Sequence, residues 1–233
     1  MLQQIAFICG CGHTGTSLLA NMFAAHPAVF VPRVETRAFF AKDASVAWGN
    51  LQAEAVASGL PFLVEKTPTH IHKLDLIRGM VPGARFLLTV RDPRDNIASM
   101  AKRYGDPTRA LSRWLLDTRA VLKERGLDDV TVIRLEDLVS NTEAEVRRAC
   151  DHIGIPFDPA MLRYHEHERL WFKETEIRRG NGQEGPEHTA LRVWQINQPV
   201  FDNRGAWRQV FSESEMDSLI TNEVAQIARE FGY

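Results

Sequence analysis

The amino-acid sequence predicts an α/β fold, a three-layer sandwich with a central, mainly parallel sheet flanked by helices. Short apolar segments bounded by Gly, Pro or Asp alternate along the chain with longer segments of helical periodicity. A strand–helix–strand order implies parallel strands joined by right-handed crossovers, with helices on both faces of the sheet. The length of 233 residues and the 44% of hydrophobic residues suit a single domain, residues 1–233, with a buried core.

Four segments are predicted strands and seven are predicted helices. The strands are residues 5–9, 62–65, 85–90 and 130–135, and the helices are about 16–25, 46–58, 70–80, 95–104, 108–126, 142–153 and 214–231. A polar, glycine-containing stretch predicts a loop-rich insert at about 163–200. Such an insert is either a mobile flap over a substrate or cofactor, or a solvated surface connection.

The bulk composition argues against several classes of function. A net charge of -2 and a pI near 6.5 disfavour nucleic acid as a partner, because such binders carry excess positive charge. No apolar run approaches the roughly 20 residues that span a bilayer. The start of the chain lacks a basic region and a cleavage site, so we expect a cytoplasmic protein without a membrane span. The spacing of Cys9, Cys11 and Cys150 predicts free thiols and no metal site.

A glycine-rich turn joins the first predicted strand to the first helix. In ICGCGHTGTSLL, residues 8–19, Gly10 and Gly15 have the spacing of a phosphate-binding loop, with Thr16 where a lysine is usual. The glycines let the backbone approach an anion, and the helix that follows directs its free N–H groups and positive dipole end towards it. The hydroxyls of Thr16 and Ser17 add donors. The missing lysine and the lack of a carboxylate for Mg²⁺ disfavour an ATPase or kinase, although a small-molecule kinase with a degenerate loop stays an alternative.

A second motif, which is cationic, follows the third predicted strand. Arg91 ends that strand, Ser99 lies eight residues later, and Arg103 lies one helical turn beyond Ser99 on the same face. A guanidinium and a hydroxyl that converge in this way suit a phosphate monoester, because arginine offers a planar pair of donors to its oxygens.

Together the two motifs resemble those of sulfotransferases that use 3′-phosphoadenosine 5′-phosphosulfate (PAPS). Their 5′-phosphosulfate loop, [PG]-[KR]-[ST]-G-T-[ST], is matched by GHTGTS, and their 3′-phosphate motif, VRDPRxxxxS, by residues 90–99. The resemblance implies a P-loop NTPase-like sulfotransferase fold, with PAPS as donor and 3′-phosphoadenosine 5′-phosphate (PAP) as product. It implies that the nucleotide is held by Gly12, His13, Thr14, Gly15, Thr16 and Ser17 and by Arg91, Ser99 and Arg103.

The resemblance extends over nearly the whole chain. Residues 64–68 (VEKTP) resemble the lysine-bearing strand end of many members, and residues 133–139 and 152–158 resemble the segments that follow later in the family. NRGAW, residues 203–207, resembles the R-x-G-x-W region that folds back on the cofactor. This similarity implies that Arg204 and Gly205 also contact the nucleotide.

Sulfuryl transfer requires donors at the departing oxygen and a base at the acceptor, and no metal. The resemblance implies that Lys66, with the loop amides and hydroxyls, supplies the donors. For the base, E35-T-R37 is similar to a segment of tyrosylprotein sulfotransferases, which implies Glu35 as base and Arg37 as the residue that positions it or the acceptor. The rival is His70, since phenol and steroid members carry K-T-H, whereas this chain has K66-T-P-T-H70. The resemblance implies that the acceptor is a hydroxyl or amine of a small molecule, peptide or carbohydrate, which the sequence does not identify.

His13 departs from the family pattern, in which lysine or arginine contacts the sulfuryl and 5′-phosphate groups. An imidazole is shorter and is only partly charged near neutral pH, unless a bound dianion raises its pKa. We therefore expect His13 to act as a pH-sensitive cationic donor, with either slower chemistry or compensation by Lys66 and another cation. The alternative is that the chain binds PAPS or PAP without turnover.

Overall fold

The computed structural model describes residues 2–233, so residue 1 of the predicted domain lies outside it. A five-stranded sheet with the order β2-β3-β1-β4-β5 forms its centre. The strands are β1 Gln4–Gly10, β2 Val29–Phe30, β3 Phe62–Lys66, β4 Arg85–Val90 and β5 Val130–Arg134. Every pair of neighbouring strands is parallel, which confirms the predicted fold class.

Helices cover both faces of this sheet. They are α1 Thr16–Ala24, α2 Ala44–Ala57, α3 Leu74–Met80, α4 Pro93–Tyr104, α5 Pro107–Glu124, α6 Leu135–Ser140, α7 Thr142–Ile153, α8 Pro186–Ile196, α9 Glu213–Leu219 and α10 Asn222–Glu230. Short 3-10 segments lie at Ala38–Phe40, Pro68–Lys73, Pro159–Glu166 and Ala206–Gln209.

The central strand shows how the sheet separates two apolar cores. On β1, Phe7 and Cys9 pack into one core with α2, α5 and α10, whereas Ala6 and Ile8 pack into the other with α1, α7 and α8. Successive side chains of a strand point to opposite faces, and a strand buried on both faces is apolar throughout. The register places the carboxyl ends of the parallel strands at one edge of the sheet, where they meet the loops that carry the sequence motifs.

Several elements differ from the sequence prediction, and helix α6 was not predicted, since its first residue fell in the predicted strand 130–135. The two-residue strand β2 is too short to produce a periodic pattern. The predicted helix 70–80 begins as the 3-10 segment Pro68–Lys73, whose proline suits a helix start. The predicted helix 214–231 is two helices, because Thr221 leaves helical geometry and its side chain accepts the Val224 N–H that caps α10.

The predicted loop-rich insert also contains a helix. Helix α8 lies within it, and Trp171 is fully buried in the core beside α1. Asn21 of α1 joins these parts, since Nε1 of Trp171 donates to its Oδ1 at 3.0 Å and its Nδ2 donates to the Ile196 carbonyl at 2.7 Å. The expectation of a solvated connection is therefore wrong for these residues, because buried hydrogen bonds tie them to the domain.

All three cysteines of the chain lie in the apolar interior. Cys9, Cys11 and Cys150 are free and buried, as predicted, and burial raises the pKa of each thiol. Within residues 2–233, no helix combines the length and the apolar character that crossing a bilayer requires.

Candidate active site

A cleft of about 450 Å³ opens at the carboxyl edge of the sheet. The chain that follows each strand contributes to its lining: Glu35 after β2, Pro68 after β3, Arg91 after β4 and Leu135 after β5, with Gly12, His13, Gly15, Thr16 and Ser17 after β1. Open parallel sheets present ligand sites at this edge, since the connecting loops diverge there.

The loop from β1 to α1 has the geometry of an anion cradle. Gly15 has a φ of +85°, which other residues rarely adopt, and a Cβ there would lie 2.6 Å from Cδ1 of Leu135, which would have to shift. Helix α1 then begins at Thr16, and the Leu19 N–H donates to the Gly15 carbonyl at 3.0 Å. The amides of the first turn therefore have no helical acceptor and are directed at the cleft.

Buried hydrogen bonds hold this loop in place. The Thr14 hydroxyl donates to the Cys11 carbonyl at 2.6 Å and lies 2.5 Å from the Thr89 hydroxyl, and Nδ2 of Asn96 donates to the Gly12 carbonyl at 2.8 Å. The side chain of Thr14 thus faces the protein, whereas Gly12, Thr16 and Ser17 line the cleft with their neighbours in the loop. Of the predicted loop residues, Thr14 has only its backbone left for a ligand.

The second motif meets the first through His13. Its Nδ1 lies 2.8 Å from the Ser99 hydroxyl, and the Arg91 NH1 group donates to its carbonyl at 3.3 Å. Arg103, one turn after Ser99, has a buried Nε without a hydrogen-bond partner in the described chain. The two motifs, about 75 residues apart in sequence, therefore line one continuous wall of the cleft.

The surroundings of His13 disfavour its charged form. Burial is the largest effect that lowers its pKa well below 6.5, and His188, Arg103 and Arg192 add to it. His188 is itself neutral near pH 7, since burial and Arg103 lower its pKa to about 4. With only protein groups around it, position 13 thus carries no cation, and its charging depends on an anion in the cleft.

Glu35 lies between two cations. Its Oε1 accepts from Nζ of Lys66 at 3.0 Å and from NH2 of Arg192 at 2.8 Å, whereas no hydrogen bond of the described residues involves its Oε2. Burial would raise the pKa of this carboxyl, but Lys66 and Arg192 outweigh it and hold the value at about 2. Burial lowers the pKa of Lys66 to about 8, with Arg192 adding to the shift.

Lys66 and His70 both lie behind the cleft wall. Lys66 is fully buried and is not among the lining residues, so its contact with the cleft passes through Glu35. His70 is also fully buried and outside the lining, with Nδ1 3.0 Å from Oε2 of Glu65. Arg37 lines the cleft, with its guanidinium 5.7 Å from the Phe40 ring. Of the two candidate bases, Glu35 therefore faces the cleft and His70 does not.

The NRGAW segment is tied to α4. Arg204 lines the cleft and pairs with Asp202, with a shortest contact of 2.5 Å. The amides of Gly205 and Trp207 donate to the buried carboxylate of Asp95 at 2.8 and 2.9 Å. The predicted contact residue Gly205 thus has its amide engaged by Asp95, while the Arg204 side chain remains at the cleft.

The charge of the cleft suits an anion with more than one phosphate. The carboxylates in its lining all have protein partners: Glu35, Glu136, Glu184 and Asp202. Arg91 and Arg103 form no ion pair with any residue in the range 2–233. Desolvated cations without counter-ions are unfavourable, so the donor set fits the two anionic ends of PAPS or PAP.

The sulfotransferase family model matches residues 36–159, more than half of the chain. The chain belongs to the sulfotransferase family. The matched part of this sulfotransferase includes Lys66, Arg91 and Ser99, while the glycine-rich loop and α8 lie outside it.

Two curated relatives align with this sulfotransferase at low identity. It is 23% identical over 209 residues to Protein-tyrosine sulfotransferase A of Caenorhabditis elegans, covering 73% of this chain and 54% of that protein. It is 23% identical over 296 aligned positions to Nodulation protein NoeE of Sinorhizobium fredii, covering 100% of this chain and 66% of that protein. The sulfotransferase thus spans between half and two thirds of the length of these relatives.

Solved structures share the fold of this sulfotransferase. The sulfotransferase domain from the curacin biosynthetic pathway matches with a TM-score of 0.67 at 17% identity, covering 100% of this chain and 98% of that one. The sulfotransferase domain from the Synechococcus PCC 7002 olefin synthase matches with 0.65 at 20%, covering 100% and 95%. Mouse sulfotransferase SULT7A1, solved as a complex with PAP, matches with 0.61 at 14%, covering 100% and 90%.

Three residues at or near the cleft were not predicted from the sequence. Arg192 and His188 lie one turn apart on α8 and line the cleft, and Asp95 anchors the NRGAW segment. The proline at position 186 and the four-residue spacing of the histidine and arginine are a helix pattern that could have been recognised. No local pattern marks Asp95, because its partners lie more than 100 residues away.

Proposed function

We propose that this chain transfers a sulfuryl group from PAPS to a hydroxyl or amine of an acceptor, without a metal. The observation that carries the proposal is the junction of the two anion-binding motifs, where His13 lies 2.8 Å from Ser99. A ligand that satisfies both motifs needs two separated anionic groups, as PAPS has.

The chemistry of the lining supports a division of the nucleotide among these groups. We assign the 5′-phosphosulfate to the amides of residues 12–17 with the hydroxyls of Thr16 and Ser17, and the 3′-phosphate to Arg91, Ser99 and Arg103, with Arg204 at the rim. An apolar part of the cleft suits the adenine: Leu18, Leu135, Val139, Ile196 and Val200. When bound, PAPS supplies an activated sulfuryl group and leaves as PAP.

Glu35 is the group that we propose accepts the acceptor's proton. Its Oε2 is not engaged by Lys66 or Arg192, and the carboxylate is ionised across the neutral range. Loop amides and the Ser17 hydroxyl stabilise the negative charge that develops on the departing phosphate oxygen, as preorganised donors do elsewhere. Lys66 acts from behind by holding the carboxylate in place, and Arg37 lies at the cleft where it can position the acceptor.

One observation favours a second candidate, a PAP-binding protein without turnover. A carboxylate with a pKa of about 2 is a weak base, because general bases work best with pKa values near the operating pH. Turnover by this chain requires that a cation leave Glu35 when the donor and acceptor bind. A binding protein has no such requirement.

A transfer assay separates the two candidates. The protein is incubated with PAPS and a panel of tyrosine peptides, phenols, oligosaccharides and amines, and products that have gained one SO3 group are sought by mass spectrometry. Tyrosine peptides are included because one relative is named a protein-tyrosine sulfotransferase. Product that forms with the wild type and not with Glu35→Gln supports the enzyme. PAP binding with no product from any class overturns it in favour of the binding protein.

A further inference from the structure

The glycine-rich loop lacks a cation of its own, and a cation reaches it from α8. His13 occupies the loop position and makes no charged contact with a carboxylate among the described residues. Four residues before Arg192 on the same helix, His188 stacks on His13 with ring centroids 5.1 Å apart. Helix α8 thus packs directly on the loop and projects Arg192 to its far end, at Ser17.

Arg192 is held with donors to spare. Its NH2 group donates to the Ser17 hydroxyl at 2.9 Å and to Oε1 of Glu35 at 2.8 Å. Its Cζ lies 4.1 Å from the centre of the Phe172 ring, which orients the guanidinium plane. Nε and NH1 donate to no acceptor within residues 2–233, and about 23% of the side chain remains exposed. A fixed guanidinium with free donors at a helix N-terminus is suited to a phosphate or sulfuryl oxygen.

We propose that Arg192 binds the 5′-phosphosulfate of the donor and supplies the positive charge that the loop lacks at position 13. The inference rests on the proposed function and adds a residue to its donor site. A guanidinium stays charged over the whole working range, so this charge does not depend on protonation of an imidazole. The oxygen that Arg192 contacts on Glu35 is a carboxylate oxygen, which a phosphate oxygen can replace. Donor binding would then free Glu35 from one of its two cations.

Two ligands that differ only in the 5′-phosphate test the contact. PAP carries 3′- and 5′-phosphates, whereas adenosine 3′-monophosphate lacks the second. In calorimetry, Arg192→Gln should lower the affinity for PAP by about 10- to 100-fold, as expected for the loss of charge-assisted hydrogen bonds. The affinity for adenosine 3′-monophosphate should not change. Arg192→Lys should retain part of the PAP affinity. Arg179→Gln is the matched control, because Arg179 lies outside the cleft and its guanidinium faces Trp194 at 4.9 Å.

A rescue variant tests whether the loss of PAP affinity in Arg192→Gln reflects damage to the fold. His13→Arg added to Arg192→Gln returns a guanidinium to the loop and should recover most of the lost PAP affinity. The Arg192→Gln comparison is repeated in a Glu35→Gln background, because the single change leaves Glu35 with one cation fewer beside the phosphate. The selective loss of PAP affinity should persist there.

The outcomes separate the inference from the function on which it rests. The inference is overturned if Arg192→Gln lowers the affinity for both ligands equally or leaves the affinity for PAP unchanged. PAP binding by the wild type would still support the nucleotide site. Absence of PAP binding in the wild type overturns both. If Arg192→Gln does not fold, Arg192→Lys decides: a partial loss of affinity for PAP alone supports the contact, and equal losses of affinity for PAP and adenosine 3′-monophosphate overturn it.

Discussion

The imidazole rings of His13 and His188 stack with their centroids 5.1 Å apart and their planes inclined by 22°. The contact joins the glycine-rich loop to α8. Both rings are neutral near pH 7, because burial lowers the pKa of each and nearby arginines lower it further. Two neutral rings can stack without charge repulsion. An anion bound beside the pair would favour the charged form of an imidazole.

We expect PAP binding to protonate His13. A bound dianion raises its pKa, so a proton is taken up near pH 7, and PAP affinity falls as pH rises through the raised value. Calorimetry in two buffers with different ionisation enthalpies measures the uptake. His13→Arg should abolish most of it and flatten any alkaline fall in turnover at saturating PAPS. Equal uptake in that variant would show that another group titrates.

Arg91 should determine the preference for a 3′-phosphate. It faces the cleft without an ion-pair partner within residues 2–233, and burial lowers the pKa of its guanidinium. We expect PAP to bind about 10- to 150-fold more tightly than AMP, and Arg91→Ala to make the two equal, since a charged contact to phosphate is lost. The exposed Arg94, paired with Asp92, is the control. Equal PAP and AMP affinities in the wild type would contradict the assignment of the cleft as a site for a 3′-phosphorylated nucleotide.

Glu35→Gln should separate chemistry from binding. The carboxamide keeps the shape of the side chain but cannot take a proton, so we expect turnover to fall by about 10² to 10⁴ while PAP still binds. Steady-state rates and PAP calorimetry provide the two measurements. His70→Ala should leave turnover of the folded protein nearly intact. The reverse pattern would make His70 the base.

His70 should instead matter for stability. Its Nδ1 lies 3.0 Å from Oε2 of Glu65, and both side chains are fully buried. When the histidine is removed, the Glu65 carboxylate keeps the hydroxyl donors of Thr36 and Thr67. We expect His70→Ala to lower the free energy of unfolding by about 1–3 kcal/mol, and His70→Gln, which keeps a donor, to cost less. Urea unfolding of both variants tests this, and equal costs would contradict it.

Lys66 should make stability depend on pH. Burial lowers its pKa from 10.5 to about 8 in the folded protein, so the unfolded chain binds more protons between these values. The free energy of unfolding should therefore rise with pH across that window, by on the order of 1–3 kcal/mol relative to Lys66→Met. Urea unfolding near pH 8 and near pH 10 gives the comparison. Parallel pH dependence in the two proteins would show that Lys66 titrates normally.

The parallel sheet, the glycine-rich turn after β1 and the helical spacing of Ser99 and Arg103 could be predicted from local sequence patterns. Each is encoded within a few neighbouring residues: an apolar strand, a glycine at position 15 where the backbone is left-handed, and a four-residue spacing on one helix face. The wall that these motifs form follows from their positions at the ends of adjacent strands, β1 and β4.

Which charged groups meet depends on how distant segments of the chain pack together. Arg192 lies 157 residues from Glu35, and no local pattern relates them. His70 has the sequence neighbourhood of a candidate base, yet the fold turns it towards Glu65 and away from the cleft. The charge states of His13 and Lys66 were equally beyond the sequence. A pKa depends on burial and on every charge within a few ångströms, and these quantities exist only once distant segments have packed together.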